Sequence, residues 1–309
     1  MVQTVAIIGA TGLQGGSVLR SLHSTGKYKI TAVTRNTSSP SAAEIKSKYP
    51  DVRLVKADLE DVESLKNAFK NTDFVFGMTL FDQPDILNRI DAGDVDAEFN
   101  HGKNIADAAL ASGVKDIIFT TLYSMSELSN GKCLDAIQFD GKYKIEKYIK
   151  SMATKIRGAF IHVGYYMENY VTFSRISPED NRTVEFAFPA MPTTKLPLVD
   201  IANDTGAVVS HMLDNFDDFV GKAVPVCSGF YEAQDMANAF TEVTGKPTRC
   251  LRIPFDICTK DMKRMYKRYD EFGYFDPNTD VLELNKKLNI KLTTPTEFWK
   301  NRGWTGPSQ

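Results

Sequence analysis

Cysteine is scarce and unpaired in this chain: Cys133, Cys227, Cys250 and Cys258 form no C-x-x-C spacing, and only four histidines are scattered along the sequence. Neither ligand pattern that marks a structural metal is present, so no metal site is expected from spacing. No apolar run approaches the ~20 residues that cross a bilayer, which argues against membrane insertion. Charge of one sign is missing as well. The 37 basic residues are set against 39 acidic ones, a net charge of -2, without long runs of either. Direct nucleic-acid binding is therefore not expected, because phosphate recognition needs clustered cations. Repeats and low-complexity tracts are absent too. The chain enters a strand almost at once, with no basic segment, apolar stretch and small-residue cleavage site ahead of it. These absences predict a soluble protein of a reducing, cytoplasmic compartment, with nuclear entry left open.

What is present begins at the amino terminus. Val5-Ala-Ile-Ile-Gly-Ala-Thr-Gly-Leu-Gln-Gly-Gly16 is an apolar strand running into glycines at 9, 12, 15 and 16, and Val18, Leu19 and Leu22 follow at helical spacing. In a strand–turn–helix of this kind the first glycine takes the tight turn and the second admits a pyrophosphate. The third lets the helix lie close on the strand, and phosphate meets the free N–H groups of the helix start.

Short β-rich runs at 5–8, 30–33, 52–55, 74–76 and 117–119 alternate with amphipathic stretches, and a further strand is expected at 159–163. Such alternation implies a parallel sheet covered on both faces. The first helix should stop at Gly26, and the longest intervening helix should span 95–112 and end at Gly113. Beyond about residue 155 the pattern loosens. A strand at 183–188, a helix at 201–213, a strand at 224–226 and a helix at 233–243 are expected, with a charged helical region at 255–272. Its cluster of Lys263, Arg264, Lys267 and Arg268 reads as a solvated face ahead of an anion site. Residues 1–155 are expected to form a nucleotide-binding domain and 156–309 a smaller substrate or partner domain, with the chain free to cross back.

Sheets of this type bind ligands beyond the carboxyl ends of their strands, so the residues following each strand are informative. After the second strand stands Arg35, with no acid beside it, where an NAD-preferring site places Asp or Glu; a planar guanidinium there favours the 2′-phosphate of NADP. After the third, Asp58 admits two roles, accepting from an adenine amino group or capping the helix that begins near Asp61, while Leu59 can cover the ring. Thr79, Leu80 and Phe81 follow the fourth strand and should flank the inner ribose. Thr121 and Leu122 follow the fifth, close to the nicotinamide.

Four segments together, Gly9-Ala-Thr-Gly-Leu-Gln-Gly-Gly16, Val33-Thr-Arg-Asn36, Phe139-Asp-Gly-Lys142 and Gly164-Tyr-Tyr-Met-Glu-Asn169, resemble the NmrA-like family, an atypical branch of the short-chain dehydrogenase superfamily. The resemblance runs from Val5 to about Gly245. It implies an α/β fold: a Rossmann-type doubly wound parallel sheet with NADP in its cleft and a smaller mixed α/β carboxyl-terminal domain. Gly9, Thr11, Gly12, Leu13, Gln14 and Gly15 of the turn, Lys142, and Tyr165, Tyr166 and Asn169 join the cofactor-binding set on this ground. Members include redox-sensing transcriptional regulators and reductases related to isoflavone reductase. A protein partner such as a transcription regulator is thus one expectation, and a small quinone- or enone-type substrate is the other.

The superfamily's active enzymes use a Tyr-x-x-x-Lys pair, the tyrosine passing a proton to the carbonyl. Matching the family segment puts Lys142 in the lysine place and Gln138 in the tyrosine place. An amide has no proton to give near neutral pH, so efficient conventional dehydrogenase activity is not expected. Tyr143 and Lys147 also spell the motif, but one residue further along, rotated about a hundred degrees round the helix. Family members that reduce substrates without the tyrosine rely on the lysine, which keeps Lys142 as a non-conventional catalytic candidate. Glu146, one turn later, is its ordinary partner at that spacing. Where relatives commonly read Arg-Pro-Gly, this chain has His162-Val-Gly164. The histidine is open to two readings, one titrating near the nicotinamide and one buried and hydrogen-bonded.

Overall fold

The computed structural model describes residues 2–307. Its first half alternates strand and helix: β1 (Gln3–Ile8), α1 (Leu13–Thr25), β2 (Tyr28–Thr34), α2 (Pro40–Lys48), β3 (Arg53–Lys56), α3 (Val62–Ala68), β4 (Phe74–Gly77), α4 (Pro84–Asp91), α5 (Ala97–Ala111), β5 (Asp116–Thr121), α6 (Met125–Leu128), α7 (Ile137–Ser151) and β6 (Arg157–Val163). There follow β7 (Tyr165–Tyr166), α8 (Asn169–Thr172), β8 (Ser174–Ile176), β9 (Val184–Phe188), β10 (Leu196–Val199), α9 (Ile201–Asp214), α10 (Phe216–Phe219) and β11 (Ala223–Val226). The chain then continues through β12 (Gly229–Tyr231), α11 (Ala233–Thr244), β13 (Thr248–Arg252), α12 (Lys260–Phe272), α13 (Val281–Lys287) and α14 (Pro295–Arg302).

Two compact units result, each discontinuous in sequence. The first takes the chain up to Ser124, then Ile137–His162 and Thr205–Val224; the second takes Met125–Ala136, Val163–Asp204 and the chain from Pro225 onward.

Seven strands form the central sheet in the order β11-β6-β5-β4-β1-β2-β3, and parallel ladders join β1 through β6. That order is the doubly wound Rossmann arrangement, in which the strand sequence reverses between β1 and β4. The strands were legible because both faces are covered: Val5, Ala6, Ile7 and Ile8 of β1, Val75 and Phe76 of β4, and Ile117, Ile118 and Phe119 of β5 are all buried. A strand buried on both faces reads as a continuous apolar run. Gly26 caps α1 in the left-handed conformation, φ 66°, as expected. The helix expected over 95–112 is α5, Ala97–Ala111, and a short helix not anticipated, α4, precedes it, opened by Pro84. On the outside of α1, Gly206 of α9 approaches Ser17 so closely that its N–H donates to Ser17 Oγ at 2.9 Å.

The second unit carries two three-stranded sheets, β12-β10-β7 and β13-β9-β8, each with one parallel and one antiparallel pair. Its core is aromatic. Trp299 of α14 stacks on Phe186 of β9 with ring centroids 5.8 Å apart, meets Phe240 of α11 edge-on at 5.1 Å and donates its indole N–H to Met236 O at 3.0 Å. The region expected to be helical from 255 breaks before α12 begins at Lys260. Nor is its basic cluster wholly solvated: Arg268 is buried and ion-paired with Asp135, because the apolar stripe of α12 turns that position inward.

Glu168 and Asp204 make this unit sensitive to pH. Glu168 accepts the N–H groups of Ala202 at 3.0 Å and Ile201 at 3.3 Å at the start of α9, while Asp204 accepts from Thr293 Oγ1 at 2.7 Å. Burial, reinforced by the neighbouring Asp200 carboxylate, pushes Glu168 from the ordinary 4.5 up to about 7 and Asp204 from 3.8 up to about 6. A carboxyl whose folded pKa is raised adds stability that is complete below its unfolded pKa and is lost as pH rises through the folded value. The melting temperature of the second unit should therefore fall between pH 5 and pH 8. Glu168 alone accounts for ~3 kcal/mol. Thermal melts of wild type and Glu168→Gln across that range should show the slope reduced in the variant; an equal slope in both contradicts the assignment.

Candidate functional site

In open α/β sheets ligands bind outside the carboxyl ends of the strands where their order reverses, here between β1 and β4, and the glycine turn follows β1 at that edge. Gly9 has φ 67°, a left-handed conformation that favours glycine, and its carbonyl accepts the N–H of Gly12 at 2.9 Å. A Cβ on Gly15 would sit 2.3 Å from Gly9 O, so only glycine lets α1 begin this close to β1. No side chain caps the first turn of α1, and that turn contains no acidic residue. Its amides and dipole end are thus presented without a competing carboxylate, as an anion requires. Thr11 Oγ1 lies 3.3 Å from Thr34 Oγ1 at the end of β2, and Gln14 Oε1 accepts from Thr120 Oγ1 of β5 at 2.9 Å. Leu13 is 48% exposed and Leu80, after β4, is 41% exposed, leaving apolar surface at this edge of the sheet.

The residues that follow the next strands are placed as the topology dictates. Arg35 is exposed after β2 and donates from Nη2 to Gln83 Oε1 at 2.6 Å; among the described residues no carboxylate pairs with it, so its charge is uncompensated. Sequence offered no sign of Gln83 as its partner, because the two are brought together only by the sheet. Of the two roles open to Asp58, capping α3 falls to Asp61, whose carboxylate accepts from Ser64 N–H at 3.1 Å. Asp58 Oδ1 instead accepts the Glu60 N–H at 3.0 Å and shapes the turn holding Leu59. Phe81 is buried in a cluster with Ile86, Ile90 and Ala97, so it is wall material for α4 and α5.

Lys142 does not pair with Glu146. Its ammonium is held by Glu98 of α5 and donates to Thr79 Oγ1 at 3.1 Å, while Thr79 Oγ1 donates to Glu98 Oε1 at 2.7 Å. All three are buried. The side chain of Lys142 thus reaches across to β4 and α5 instead of running along its own helix. Glu98 was missed in the sequence because nothing in the local pattern of α5 separates a buried acid from a surface one. Lys147 is exposed and lies over the Tyr143 ring, 5.5 Å from its centroid, away from this pair.

Glu146 has other partners. It accepts from Thr121 Oγ1 at 2.7 Å, lies 2.7 Å from His162 Nε2, and pairs with Lys150 at 2.7 Å. Burial opposes ionisation, but the hydrogen bond and electrostatic attraction of His162, with hydrogen bonds from Lys150 and Thr121, hold its carboxyl down at about 2. His162 is buried at the end of β6 and packs edge-on to Tyr123 with ring centroids 4.4 Å apart, which favours the buried, hydrogen-bonded reading. Leu122 is buried beside this network.

Tyr165, Tyr166 and Asn169 belong to the second unit. The Tyr165 hydroxyl is 2.5 Å from that of Tyr266, and its ring packs edge-on against Phe188, Tyr266 and Tyr269. Burial pushes its phenol well above the ordinary range, so it is a core residue there and a poor proton donor. Tyr166 pairs with Val199 in the ladder of β7 and β10, and Asn169 begins α8.

A Rossmann sheet with a glycine turn at its switch point defines a nucleotide-binding class of α/β protein. The profile of the NmrA-like family matches residues 1–305, and the chain belongs to that family. It is 28% identical over 319 residues, 96% of this chain and 92% of the relative, to the NmrA-like family domain-containing oxidoreductase FrzB of Cladobotryum sp. Its fold is shared with the negative transcriptional regulator NmrA, solved in complex with NADP (TM-score 0.78, 19% identity, 96% and 94% of the two chains). It is also shared with the NADPH-dependent quinone oxidoreductase QOR2 of Escherichia coli, solved with NADPH (TM-score 0.72, 19% identity, 97% and 99%).

Proposed function

We propose that the first unit binds NADP(H) at the carboxyl edge of its sheet, and that the protein acts as a nucleotide-responsive regulator instead of a conventional dehydrogenase. The turn at Gly9–Gly15 fits a pyrophosphate by close backbone approach and uncapped amides, and Arg35, held by Gln83 and paired with no carboxylate among the described residues, offers a cation to a 2′-phosphate. Bound NADPH would supply a hydride; reduction also needs a proton, which a positioned side chain or an ordered water delivers. The observation that carries the regulatory reading is the commitment of Lys142 to Glu98 and Thr79, with an amide, Gln138, in the place of the proton-donating tyrosine. NmrA, with which the fold is shared, is itself a negative transcriptional regulator.

A second reading is favoured by the oxidoreductase name of the Cladobotryum relative and by the quinone oxidoreductase neighbour. On it, Lys142 relays a proton to a quinone or enone. One pair of assays separates the two. NADPH oxidation over a panel of quinones and enones should not exceed that of Lys142→Ala; turnover that this variant abolishes, with NADPH binding kept, establishes the reductase.

Equilibrium dialysis should show NADP bound more tightly than NAD by about 10- to 100-fold, as expected for charge-assisted hydrogen bonds to phosphate. Arg35→Ala should lose that preference while keeping its affinity for NAD. An unchanged preference refutes the assigned cation.

A further inference from the structure

Glu60, Asp85 and His101 lie on three separate segments of the first unit: the turn between β3 and α3, the first turn of α4, and the second turn of α5. Each offers one ligand atom, and those atoms all lie within 4.8 Å of one another. Asp85 and Glu60 are exposed, whereas His101 is only 6% exposed. Its Nε2 is buried without a hydrogen-bond partner, 3.5 Å from Glu60 Oε1. A buried imidazole nitrogen facing two carboxylates through an unmade bond calls for a cation with a vacant coordination position.

We propose that Glu60, Asp85 and His101 bind a divalent transition-metal cation. One imidazole nitrogen and two carboxylate oxygens suit zinc, cobalt or nickel; calcium and magnesium prefer all-oxygen sets. Ligand bonds of roughly 2.0–2.2 Å bring donor atoms to within about 3.5 Å of one another, so the exposed carboxylates must close by about 1 Å. The frame for this is in place. Asn104 of α5 donates to Leu59 O at 2.8 Å, fixing the Glu60 turn against the helix that carries His101. Arg89 competes for one oxygen, donating to Glu60 Oε1 at 2.7 Å, but the same guanidinium is also drawn to Asp94. The two carboxylates and the imidazole together present three donor atoms to a divalent ion, and Arg89 is shared between Glu60 and Asp94. Solvent can fill the remaining positions beside the exposed acids. The metal would tie the turn holding Leu59 to the segment holding Gln83, the partner of Arg35.

No sequence pattern announces such a site, because Glu60 and His101 are 41 positions apart and neither lies near a second histidine or a cysteine pair. The test is a calorimetric titration of Zn²⁺ into the chelator-stripped full chain, repeated with Co²⁺ followed by its visible absorption. One ion per chain is expected. His101→Gln and Asp85→Asn should each weaken binding at least tenfold while leaving the metal-free melting temperature of Asp85→Asn unchanged. Absence of stoichiometric binding overturns the site, and so does undiminished binding in Asp85→Asn, whose exposed position guards against loss of the fold. Undiminished binding in a folded His101→Gln does the same, since the ion then sits elsewhere.

Discussion

Replacing Gly15 by alanine will unseat α1 from β1. The added Cβ meets Gly9 O at 2.3 Å, Gly9 C at 2.5 Å and Ala10 N at 2.8 Å, all backbone atoms that no rotamer change can move. Overpacking against backbone costs about 3 kcal/mol, and the helix start that is to meet the pyrophosphate shifts with it. Gly12→Ala is the control: its Cβ would meet Gly9 O at 3.4 Å, a contact that a few tenths of an ångström relieve. Denaturant melts should show a large loss for Gly15→Ala and under about 1 kcal/mol for Gly12→Ala. In dialysis, Gly15→Ala should lose NADP affinity at least a hundredfold. Equal stability of the two variants contradicts the close-approach role assigned to Gly15.

Removing Glu98 will have an effect of similar size for a different reason. Glu98 is 1% exposed and Lys142 8%, so the ion pair has little water to replace either partner. Glu98→Ala leaves a buried ammonium facing only Thr79, and breaking a buried pair by removing one member costs about 3–5 kcal/mol. Replacing both residues by methionine should restore most of that loss, because neither charge then remains uncompensated. A double-mutant cycle of Glu98→Ala with Lys142→Met, read by denaturant melts, measures the coupling. Additive losses would show that the two side chains act independently.

The parts of the fold that could be read from sequence are those where local pattern and burial coincide. β1, β2, β4 and β5 are buried on both faces and so appear as apolar runs, Gly15 occupies a position that only glycine fits, and Gly9 and Gly26 take the left-handed conformation that favours glycine. Short strands of the second unit were not legible. β7 has two residues and β8 three, too few for any periodicity, and β10 carries Pro197, which reads as punctuation. The helix α4 was not legible either, since its eight residues bury only Ile86 and Ile90, too few positions to set a helical period.

In the candidate site, Arg35 and Lys142 were found because each stands at a fixed offset from a recognisable segment. Their partners were not, for Gln83 and Glu98 lie 48 and 44 residues away and meet them only through the sheet. Glu146 shows the limit of helical spacing as a guide. It is one turn from Lys142, yet Thr121 and His162, delivered by β5 and β6, hold its carboxylate.

The central claim is that NADP lies at the switch point of the first unit's sheet, and a crystal structure of the chain grown with NADP⁺ tests it most directly. The expected density has the pyrophosphate on the amides at the start of α1 and the adenosine 2′-phosphate on the Arg35 guanidinium. A dinucleotide bound elsewhere, or a 2′-phosphate turned away from Arg35 into solvent, would contradict it.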